Sequence, residues 1–343
     1  MSDTIRWAVI GATGIARTRT IPGLVQAKNA KLVAVQTRPE DIEPLKKVAS
    51  DYSVPYFTSV EEMLKTVECD AVYIGSPQYV HLEQVKDAAK FKKPILCEKP
   101  IGRTVPEAKE MLKVCKKAKV KFGTAFMLRF HTLHRKARQL VKEGAIGQVV
   151  SARALFGFDY PPMEGAFRQV MELGGGGAFM DVGNHAMDTL EYITGKRFST
   201  VMGFAQNLVH KYEPEDVCAA VLEFDGGGIG LVDTYMCIPF DACKRDVEIN
   251  GTKGTIWTTD TMGQTPGGTL TLRTPSGTQV FESDNRDMYL GEIEAFGNAL
   301  LAGKEPPVGA EDGLHSQELV EACYKSCKTG RRVKVRKTSP IVE

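Results

Sequence analysis

Short apolar, β-branched runs alternate with longer helical patterns along the first third of the chain. This alternation is typical of parallel strands joined by crossover helices. We predict strands over residues 5–10, 31–36, 71–74, 94–97 and 121–126. Ser59-Val-Glu-Glu62 and Thr104-Val-Pro-Glu107 have the form of capping boxes, which place helix starts between these strands. The pattern predicts a doubly wound α/β Rossmann domain with a parallel sheet over residues 1–126.

The remaining residues, 127–343, show strand-like runs that follow one another through glycine-rich turns. The predicted strands are residues 149–156, 217–224, 230–236, 247–249, 255–258 and 269–272. A helix is predicted over residues 289–301, and residues 332–336 alternate as a charged edge strand. We expect an α+β domain with a largely antiparallel open sheet, one face on helices and the other available to a second subunit.

Composition and charge narrow the possible partners. With 343 residues and 43% hydrophobic side chains, the chain can bury a core in each of two domains. The net charge of only +2 argues against nucleic acid and an acidic membrane surface, so the expected partner is a small molecule. Neither a membrane-spanning run nor a signal-peptide core is present, and we expect a cytoplasmic protein. The eight cysteines are scattered without zinc-ligand spacing, which favours reduced thiols and no metal site.

A glycine turn follows the first predicted strand. Gly11-Ala-Thr-Gly14-Ile15-Ala16 supplies small residues where a backbone must bend sharply and let a pyrophosphate approach the amides of a helix start. Thr13 stands where the usual Gly-x-Gly-x-x-Gly/Ala fingerprint has its second glycine, and its hydroxyl can donate to phosphate instead. An ordinary strand-to-helix turn is the alternative, but the position after a strand favours a dinucleotide site.

The end of the second predicted strand bears on the choice of dinucleotide. The chain there reads Gln36-Thr37-Arg38, and a hydroxyl with a guanidinium suits the 2′-phosphate of NADP(H). We therefore expect NADP(H). In the alternative, Arg38 is a surface residue and Glu40 or Asp41 holds the ribose, which would favour NAD(H).

Two further segments end strands at the sheet edge where ligands bind. Ser76 and Pro77 are expected to line the nicotinamide half of the cofactor, with His81 packed near it or acting as an ordinary helix-start residue. Glu98-Lys99-Pro100 fixes a lysine between a carboxylate and a proline. An ammonium there can stabilise alkoxide character during hydride transfer, and Glu98 can hold it in place. The alternative is a surface ion pair.

A candidate proton-transfer pair follows a run of four glycines. Asp181 and His185 are four residues apart, so at a helix start their side chains lie on one face. A carboxylate beside a histidine can fix its tautomer and tune its basicity. The glycines at 174–177 predict either a backbone that packs closely against a neighbouring segment or a mobile lid. A shared cation is the alternative, but no third ligand has suitable spacing.

Together these motifs resemble the glucose-fructose oxidoreductase, inositol dehydrogenase and rhizopine-catabolism (Gfo/Idh/MocA) family over nearly the whole chain. The resemblance implies that Lys99 is the catalytic lysine, His185 the acid/base and Asp181 its partner. It also places Arg168, which follows Phe167, near the substrate. The resemblance also implies a dimer or tetramer that assembles through the second sheet.

Several segments are similar to the 1,5-anhydrofructose reductase branch of that family. They are Tyr160-Pro-Pro162, Gly251-Thr-Lys-Gly254, Gly268-Thr-Leu-Thr-Leu-Arg273 and Glu311-Asp-Gly313. Such reductases use NADPH and also depart from the second glycine of the fingerprint, as Thr13 does. Tyr160 and Asn184 are then expected substrate contacts, although they can also suit a different sugar.

The expected activity is hydride transfer between NADP(H), or NAD(H), and a secondary alcohol or ketone of a sugar or cyclitol. A keto-sugar reductase is one form of this activity. The alternatives are an NAD-dependent inositol or glycoside dehydrogenase and a non-catalytic nicotinamide-binding regulator. The regulator would have no chemical need to keep a lysine, an aspartate and a histidine together.

Overall fold

The computed structural model describes residues 4–339 and residue 341, and in them fifteen strands and ten α-helices. The strands are β1 (Ile5–Ile10), β2 (Ala30–Gln36), β3 (Tyr56–Phe57), β4 (Ala71–Ile74), β5 (Ile95–Glu98), β6 (Phe122–Ala125), β7 (Val149–Gly157), β8 (Phe198–Gln206), β9 (Val217–Phe224), β10 (Ile229–Tyr235), β11 (Val247–Gly251), β12 (Thr255–Thr259), β13 (Thr269–Thr274), β14 (Gly277–Glu282) and β15 (Val333–Lys334). The helices are α1 (Ile21–Gln26), α2 (Ile42–Tyr52), α3 (Val60–Thr66), α4 (His81–Lys90), α5 (Val105–Ala118), α6 (Thr132–Lys142), α7 (Met171–Gly174), α8 (Asn184–Thr194), α9 (Met288–Leu301) and α10 (Ala310–Thr329). None of these helices is long and apolar enough to cross a membrane.

The chain forms two compact units. The first contains the residues up to Met127 together with Asp287–Leu314, and the second contains Leu128–Arg286 together with the residues from His315 onward. The sequence analysis placed all residues after 126 in one domain, whereas 287–314 return to the first unit. They do so because α9 packs on the first unit, where the rings of Trp7 and Phe296 lie 5.3 Å apart.

The first unit is a six-stranded sheet in the order β3-β2-β1-β4-β5-β6, and every neighbouring pair is parallel. Its hydrophobic residues divide between two clusters: Trp7 and Val9 join one, and Ala8 and Ile10 join the other. These four residues belong to β1. Successive side chains of a strand point to opposite faces of the sheet, so β1 is buried on both faces. The order reverses between β1 and β4, as in dinucleotide-binding folds. The predicted Rossmann architecture is confirmed.

The local predictions in this unit hold with small shifts. Glu62 donates its amide to Ser59 Oγ at 3.3 Å, and Glu107 donates to Thr104 Oγ1 at 3.3 Å, so both predicted caps form. β5 runs from Ile95 to Glu98, one residue later than predicted, because the leading proline has no N–H for the ladder. β3 was not predicted, since two residues carry no periodic pattern.

The second unit contains a nine-stranded sheet in the order β14-β13-β12-β11-β7-β10-β9-β8-β15. Only β7 and β10 pair in parallel, which confirms the predicted, largely antiparallel sheet. All six predicted strands are present within two residues of their predicted bounds, and β15 forms one edge. The sequence analysis missed β8, β14 and α10.

One face of this sheet is covered and the other is open. Along β9, alternate residues from Cys218 to Phe224 are buried, and helices of the same unit pack on that side. On the opposite side, Met202, Phe204, Val221 and Leu231 are exposed; we call these four residues the open sheet face. Met202 pairs with Val221, and Val221 pairs with Leu231, so three of them form one row across β8, β9 and β10.

Candidate active site

The glycine turn of the first unit has the geometry of a phosphate cradle. Gly11 has φ +76° directly after β1, and a Cβ there would lie 2.4 Å from the amide nitrogen of Ser76, so no side chain fits. The ends of β1 and β4 therefore approach closely at the point where the strand order reverses. A Cβ on exposed Gly14 would meet nothing nearer than the Gly75 carbonyl at 4.0 Å. This open backbone at a helix start fits a pyrophosphate.

A π-helical turn follows the cradle at Ala16–Thr20 and continues into α1. Ala16 is fully buried, and a Cβ on Gly75 would lie 3.2 Å from its methyl carbon, so a larger residue would separate helix and sheet. Ile15 is half-buried at the helix start. Single π turns are rare and occur frequently at functional sites.

The residues after β2 include both the arginine expected to bind NADP(H) and an acidic residue of the NAD(H) alternative. Thr13 Oγ1 lies 3.2 Å from Thr37 Oγ1, which joins the glycine turn to the end of β2. Arg38 donates from Nε to Asp41 Oδ2 at 2.6 Å and from Nη1 to the Tyr79 hydroxyl at 3.4 Å. The hydrogen bond to Asp41 raises the pKa of Arg38 above its ordinary value. The guanidinium is a fixed cation whose side chain remains 58% exposed.

A buried hydrogen-bond chain fixes the backbone of Lys99. Thr20 donates to the Tyr73 hydroxyl at 2.8 Å, and Tyr73 donates to Glu98 Oε1 at 2.6 Å. Glu98 Oε2 accepts the backbone N–H of Lys99 at 3.1 Å, and the Lys99–Pro100 peptide bond is cis. Burial, and then the charge of Glu98, raises the pKa of Tyr73, which keeps its proton on oxygen. The half-buried Lys99 therefore lies at the carboxyl end of β5 on a fixed backbone.

His81 links the two loops that follow β4 and β5. Its ring is buried, with Nε2 2.7 Å from the Ser76 carbonyl oxygen and Nδ1 3.1 Å from the Ile101 carbonyl oxygen. Burial lowers the pKa of His81 below its ordinary value. Ser76 also bonds to the side chain of Gln84, and Pro77 precedes a short helical turn. The structure thus gives His81 a packing role, and its contact with the cofactor stays a prediction.

The second unit holds Asp181, Asn184 and His185 in and after another π-helical turn, Phe179–Gly183, which runs directly into α8. Asp181, Asn184 and His185 are 9%, 2% and 4% exposed, so this polar segment is buried. Asn184 donates from Nδ2 to the Met180 carbonyl at 2.5 Å. The ring of His185 lies 5.9 Å from that of Phe156 on β7.

The structure brings Tyr160, Arg168 and Asp181 together. Arg168 Nε lies 3.2 Å from Asp181 Oδ1, and Tyr160 is close enough to act on the pKa of Arg168. Burial lowers the pKa of Arg168, but Asp181 and Tyr160 outweigh this effect, so the net pKa is raised and the guanidinium stays charged. The sequence analysis paired Asp181 with His185 and did not foresee this ion pair.

Two residues that the sequence analysis missed hold the start of this segment. Glu215 accepts the amides of Gly177 at 3.0 Å and Phe179 at 2.9 Å, and the hydroxyl of Tyr324 at 2.8 Å. A Cβ on Gly177 would lie 1.9 Å from the Glu215 carbonyl oxygen. The backbone of the glycine run therefore packs tightly against Glu215, just before β9. It is not a lid. Glu215 and Tyr324 lie far from the run in sequence, where no short-range pattern reveals them.

Buried ion pairs fix α8, the helix that carries His185. Arg129 donates to Asp188 at 2.9 Å, and both side chains are 3% exposed. Glu191 lies 2.8 Å from His315 Nε2 on α10 and 2.9 Å from Arg197. Burial raises the pKa of Glu191, but His315 and Arg197 outweigh it, so the net pKa is lowered.

Comparison with known proteins gives the family. Residues 5–126 match the oxidoreductase family's NAD-binding Rossmann fold, and residues 138–335 match its C-terminal alpha/beta domain. The chain is 29% identical to a 1,5-anhydro-D-fructose reductase of Ensifer adhaerens, over 96% of this chain and 98% of that protein. It is 30% identical to a myo-inositol 2-dehydrogenase of Thermotoga maritima, over 95% of this chain and 98% of the relative.

The fold comparison agrees with the sequence comparison. The aldose-aldose oxidoreductase from Caulobacter crescentus has a TM-score of 0.89 at 24% identity, covering 97% of this chain and 100% of that one. At that identity the likeness shows the fold alone. The two matched domains account for both units and for the glycine turn between β1 and α1. The chain therefore belongs to the Gfo/Idh/MocA oxidoreductase family and carries its NAD-binding Rossmann fold.

Proposed function

We propose that this protein is an NAD(P)-dependent oxidoreductase that transfers a hydride between the nicotinamide and a secondary alcohol or ketone of a sugar or cyclitol. One observation carries the proposal: Lys99 lies at the carboxyl end of β5, in a dinucleotide-binding sheet, on a backbone fixed by buried Glu98 and Tyr73. The similar proteins named above act on an anhydro-sugar and a cyclitol, which supports this substrate class.

The first unit would hold the cofactor. The glycine turn from Gly11 to Ala16 fits the pyrophosphate, Thr13 can donate a hydroxyl to it, and Ser76 and Pro77 would line the nicotinamide half. The nicotinamide, when bound, supplies or accepts the hydride. Because Ser76 lies next to Gly11, the loop after β4 is close to the cradle and suited to this role.

The protein's own residues would move the proton and stabilise charge. The Lys99 ammonium would stabilise the negative charge that develops on the substrate oxygen. His185 would accept the hydroxyl proton during oxidation and return it during reduction. Asp181, held in place by Arg168 at 3.2 Å, would act as the carboxylate partner of this segment.

Substrate selection would rest on Tyr160, Arg168 and Asn184. The closeness of Tyr160 to Arg168 supports a shared polar surface in the second unit. Arginine and tyrosine donors suit sugar hydroxyls, and a keto-sugar reductase agrees best with the segments shared with the anhydrofructose reductases. Oxidation of an inositol or a glycoside with NAD is the second candidate, which the similarity to a myo-inositol 2-dehydrogenase favours.

For the cofactor, we propose that NADP(H) is preferred and that NAD(H) is also accepted. Arg38 is charged, half-exposed and adjacent to Thr37, so it can present a fork of donors to a 2′-phosphate. Asp41 hydrogen-bonds to the same guanidinium, which supports the NAD(H) alternative, since a carboxylate there can bind ribose hydroxyls. Titration with NADPH and NADH, followed by cofactor fluorescence, separates the two.

We also propose that the open sheet face pairs with a second copy of the chain in a homodimer or homotetramer. Phe204 is 72% exposed and Val221 is 49% exposed, on neighbouring strands. A contiguous exposed apolar surface of this kind usually marks an interaction site.

A substrate screen tests the proposed function. The full-length protein is incubated with aldoses, keto-sugars, inositols and glycosides, each with NADPH, NADP⁺, NADH and NAD⁺, and absorbance of the reduced nicotinamide is followed. We expect turnover with at least one sugar or cyclitol. A silent screen alongside tight cofactor binding would contradict the enzymatic proposal and favour a nicotinamide-binding regulator.

A further inference from the structure

Three cysteines that are distant in sequence meet in the second unit. Cys218 lies on β9, and Cys323 and Cys327 lie on α10, where a spacing of four places them on one helix face. The three sulfur atoms all lie within 4.8 Å of one another. Cys218 Sγ and Cys323 Sγ are 3.9 Å apart. None of the three is assigned to the reaction, and all are free thiols.

The backbone beside the cluster leaves room for the sulfurs. A Cβ on Gly203 of β8 would lie 2.5 Å from Cys323 Sγ and 3.5 Å from Cys327 Sγ. Any other residue at this position would push into the space that the thiols share. The cysteines therefore converge over a residue with no side chain, under α10.

We propose that Cys218, Cys323 and Cys327 form a three-thiolate site for a soft metal ion, with Cu(I) as the best match. Two of the three sulfurs lie 3.9 Å apart, close to the separation of about 4 Å that three sulfurs have around one ion at the usual metal–thiolate distance of about 2.3 Å. Thiolate ligands select soft ions such as Cu(I). No fourth histidine, cysteine or carboxylate joins the cluster among residues 4–339 and 341, so three-coordinate Cu(I) fits better than four-coordinate Zn(II).

Three thiolates in such a site carry negative charge that must be offset. Cys218 and Cys323 are buried, and buried thiolates need compensating positive charge. Cationic residues line a hollow of about 640 Å³ at the Cys327 end of α10; they are Lys325, Arg331, Arg332 and Lys334. The ion itself would be the main positive charge at the sulfurs.

The bound ion would join α10 to the sheet. Tyr324, next to Cys323, donates to Glu215, which holds the segment that carries Asp181. The sequence analysis found no metal site because 105 residues separate Cys218 from Cys323, and because Cys323 and Cys327 do not form a Cys-x-x-Cys motif. Only the tertiary fold brings the three together.

Copper titration of the reduced, full-length protein tests the proposal. Under anaerobic conditions, Cu(I) is added in competition with a chromophoric Cu(I) chelator, and bound copper is counted per chain. We expect one Cu(I) per chain and a higher Tm in the loaded protein, because a ligand that binds only the folded state stabilises it. Cys327→Ser should weaken binding at least about 10-fold. Cys237→Ser, a change at another half-buried cysteine, should leave it unchanged.

A second readout does not depend on the stability of a variant. In the wild-type protein, alkylation of native thiols is mapped by mass spectrometry with and without Cu(I), and protection is expected at Cys327 but not at Cys237. Circular dichroism and NADPH binding check that each variant is folded. Equal copper binding by wild type and Cys327→Ser, or equal alkylation of Cys327 with and without Cu(I), would overturn the proposal. Both results are independent of the substrate screen.

Discussion

The buried carboxylate of Glu98 determines the position of the residue after it. One of its oxygens accepts the Tyr73 hydroxyl and the other accepts the Lys99 amide, so the carboxylate connects the middle of the sheet to the backbone of Lys99. A charge buried this deeply is stable only when its oxygens are hydrogen-bonded. The proposed catalytic lysine thus depends on partners inside the fold.

Tyr73→Phe tests this dependence. The change removes the donor to Glu98 and the acceptor of the Thr20 hydroxyl, and we expect the free energy of unfolding to fall by about 1–3 kcal/mol. Urea denaturation measures it. Tyr56→Phe, at a 43% exposed tyrosine, is the control and should change stability by less than about 0.5 kcal/mol. Equal effects of the two changes would show that the buried hydrogen-bond chain through Tyr73 is not important for stability.

Arg38→Ala tests the cofactor preference. Removing a charged donor from a phosphate should raise the Kd for NADPH about 10-fold or more and leave the Kd for NADH nearly unchanged. Asp41→Asn is the companion variant, because it removes the carboxylate of the alternative without removing the cation. The opposite result would reverse the preference: Asp41→Asn would raise the Kd for NADH more than the Kd for NADPH, and Arg38→Ala would leave the Kd for NADPH unchanged.

At this scale the chemistry-bearing residues could be found from the sequence, but their partners could not. Lys99, Asp181 and His185 stand in short motifs with recognisable chemistry. Arg168 became a candidate only by resemblance, and its ion pair with Asp181 spans a loop whose course no spacing rule gives. Tyr73 looked like an ordinary residue of a buried strand, although its hydroxyl supports Glu98.

At the level of elements, α8 is the helix that carries His185. It follows a π-helical turn and is tied down by Asp188 and Glu191, which are paired with residues of α10 and of the segment before α6. The elements that the sequence analysis missed lack a simple period. β14 has almost no buried residues, β8 exposes Met202 and Phe204 as well as burying others, and α10 is buried on more than one side.

Glu191→Gln should weaken the anchoring of α8 in a pH-dependent way. The folded-state pKa of Glu191 lies below that of the unfolded chain, so its stabilisation is present above about pH 4.3 and is lost as the pH falls through the folded-state pKa. We expect the free energy of unfolding to drop by about 3 kcal/mol near pH 7 and by much less in acid. Guanidinium unfolding across this range measures it. An equal loss at every pH would contradict the linkage.

At the level of the whole molecule, the chain forms two units: the first contains the glycine turn and the fixed backbone of Lys99, and the second contains the buried polar segment that runs into α8. The division into two units was predictable from a change of pattern. Strands alternate with helices up to residue 126, and after it most of the predicted strands follow one another. The return of 287–314 to the first unit was not predictable, since a late helix shows its apolar positions but not the surface that they cover.

Phe204→Arg tests the proposed assembly through the open sheet face. A charge introduced at this 72% exposed residue should disrupt an apolar interface and lower the molar mass measured by light scattering. Lys211→Glu, which changes a charge at an exposed residue outside the open sheet face, should leave the mass unchanged. A wild-type protein that is monomeric at all concentrations would show that this face has another use.

The most direct test of the central claim replaces Lys99 and His185 separately with alanine and compares turnover with cofactor binding. We expect each change to lower kcat by roughly 100-fold or more, because charge stabilisation or proton transfer is lost, while the Kd for NADPH stays close to that of the wild type. Lys113→Ala, at an exposed lysine of the same unit, should retain full activity. Unchanged turnover in Lys99→Ala or His185→Ala would contradict the account.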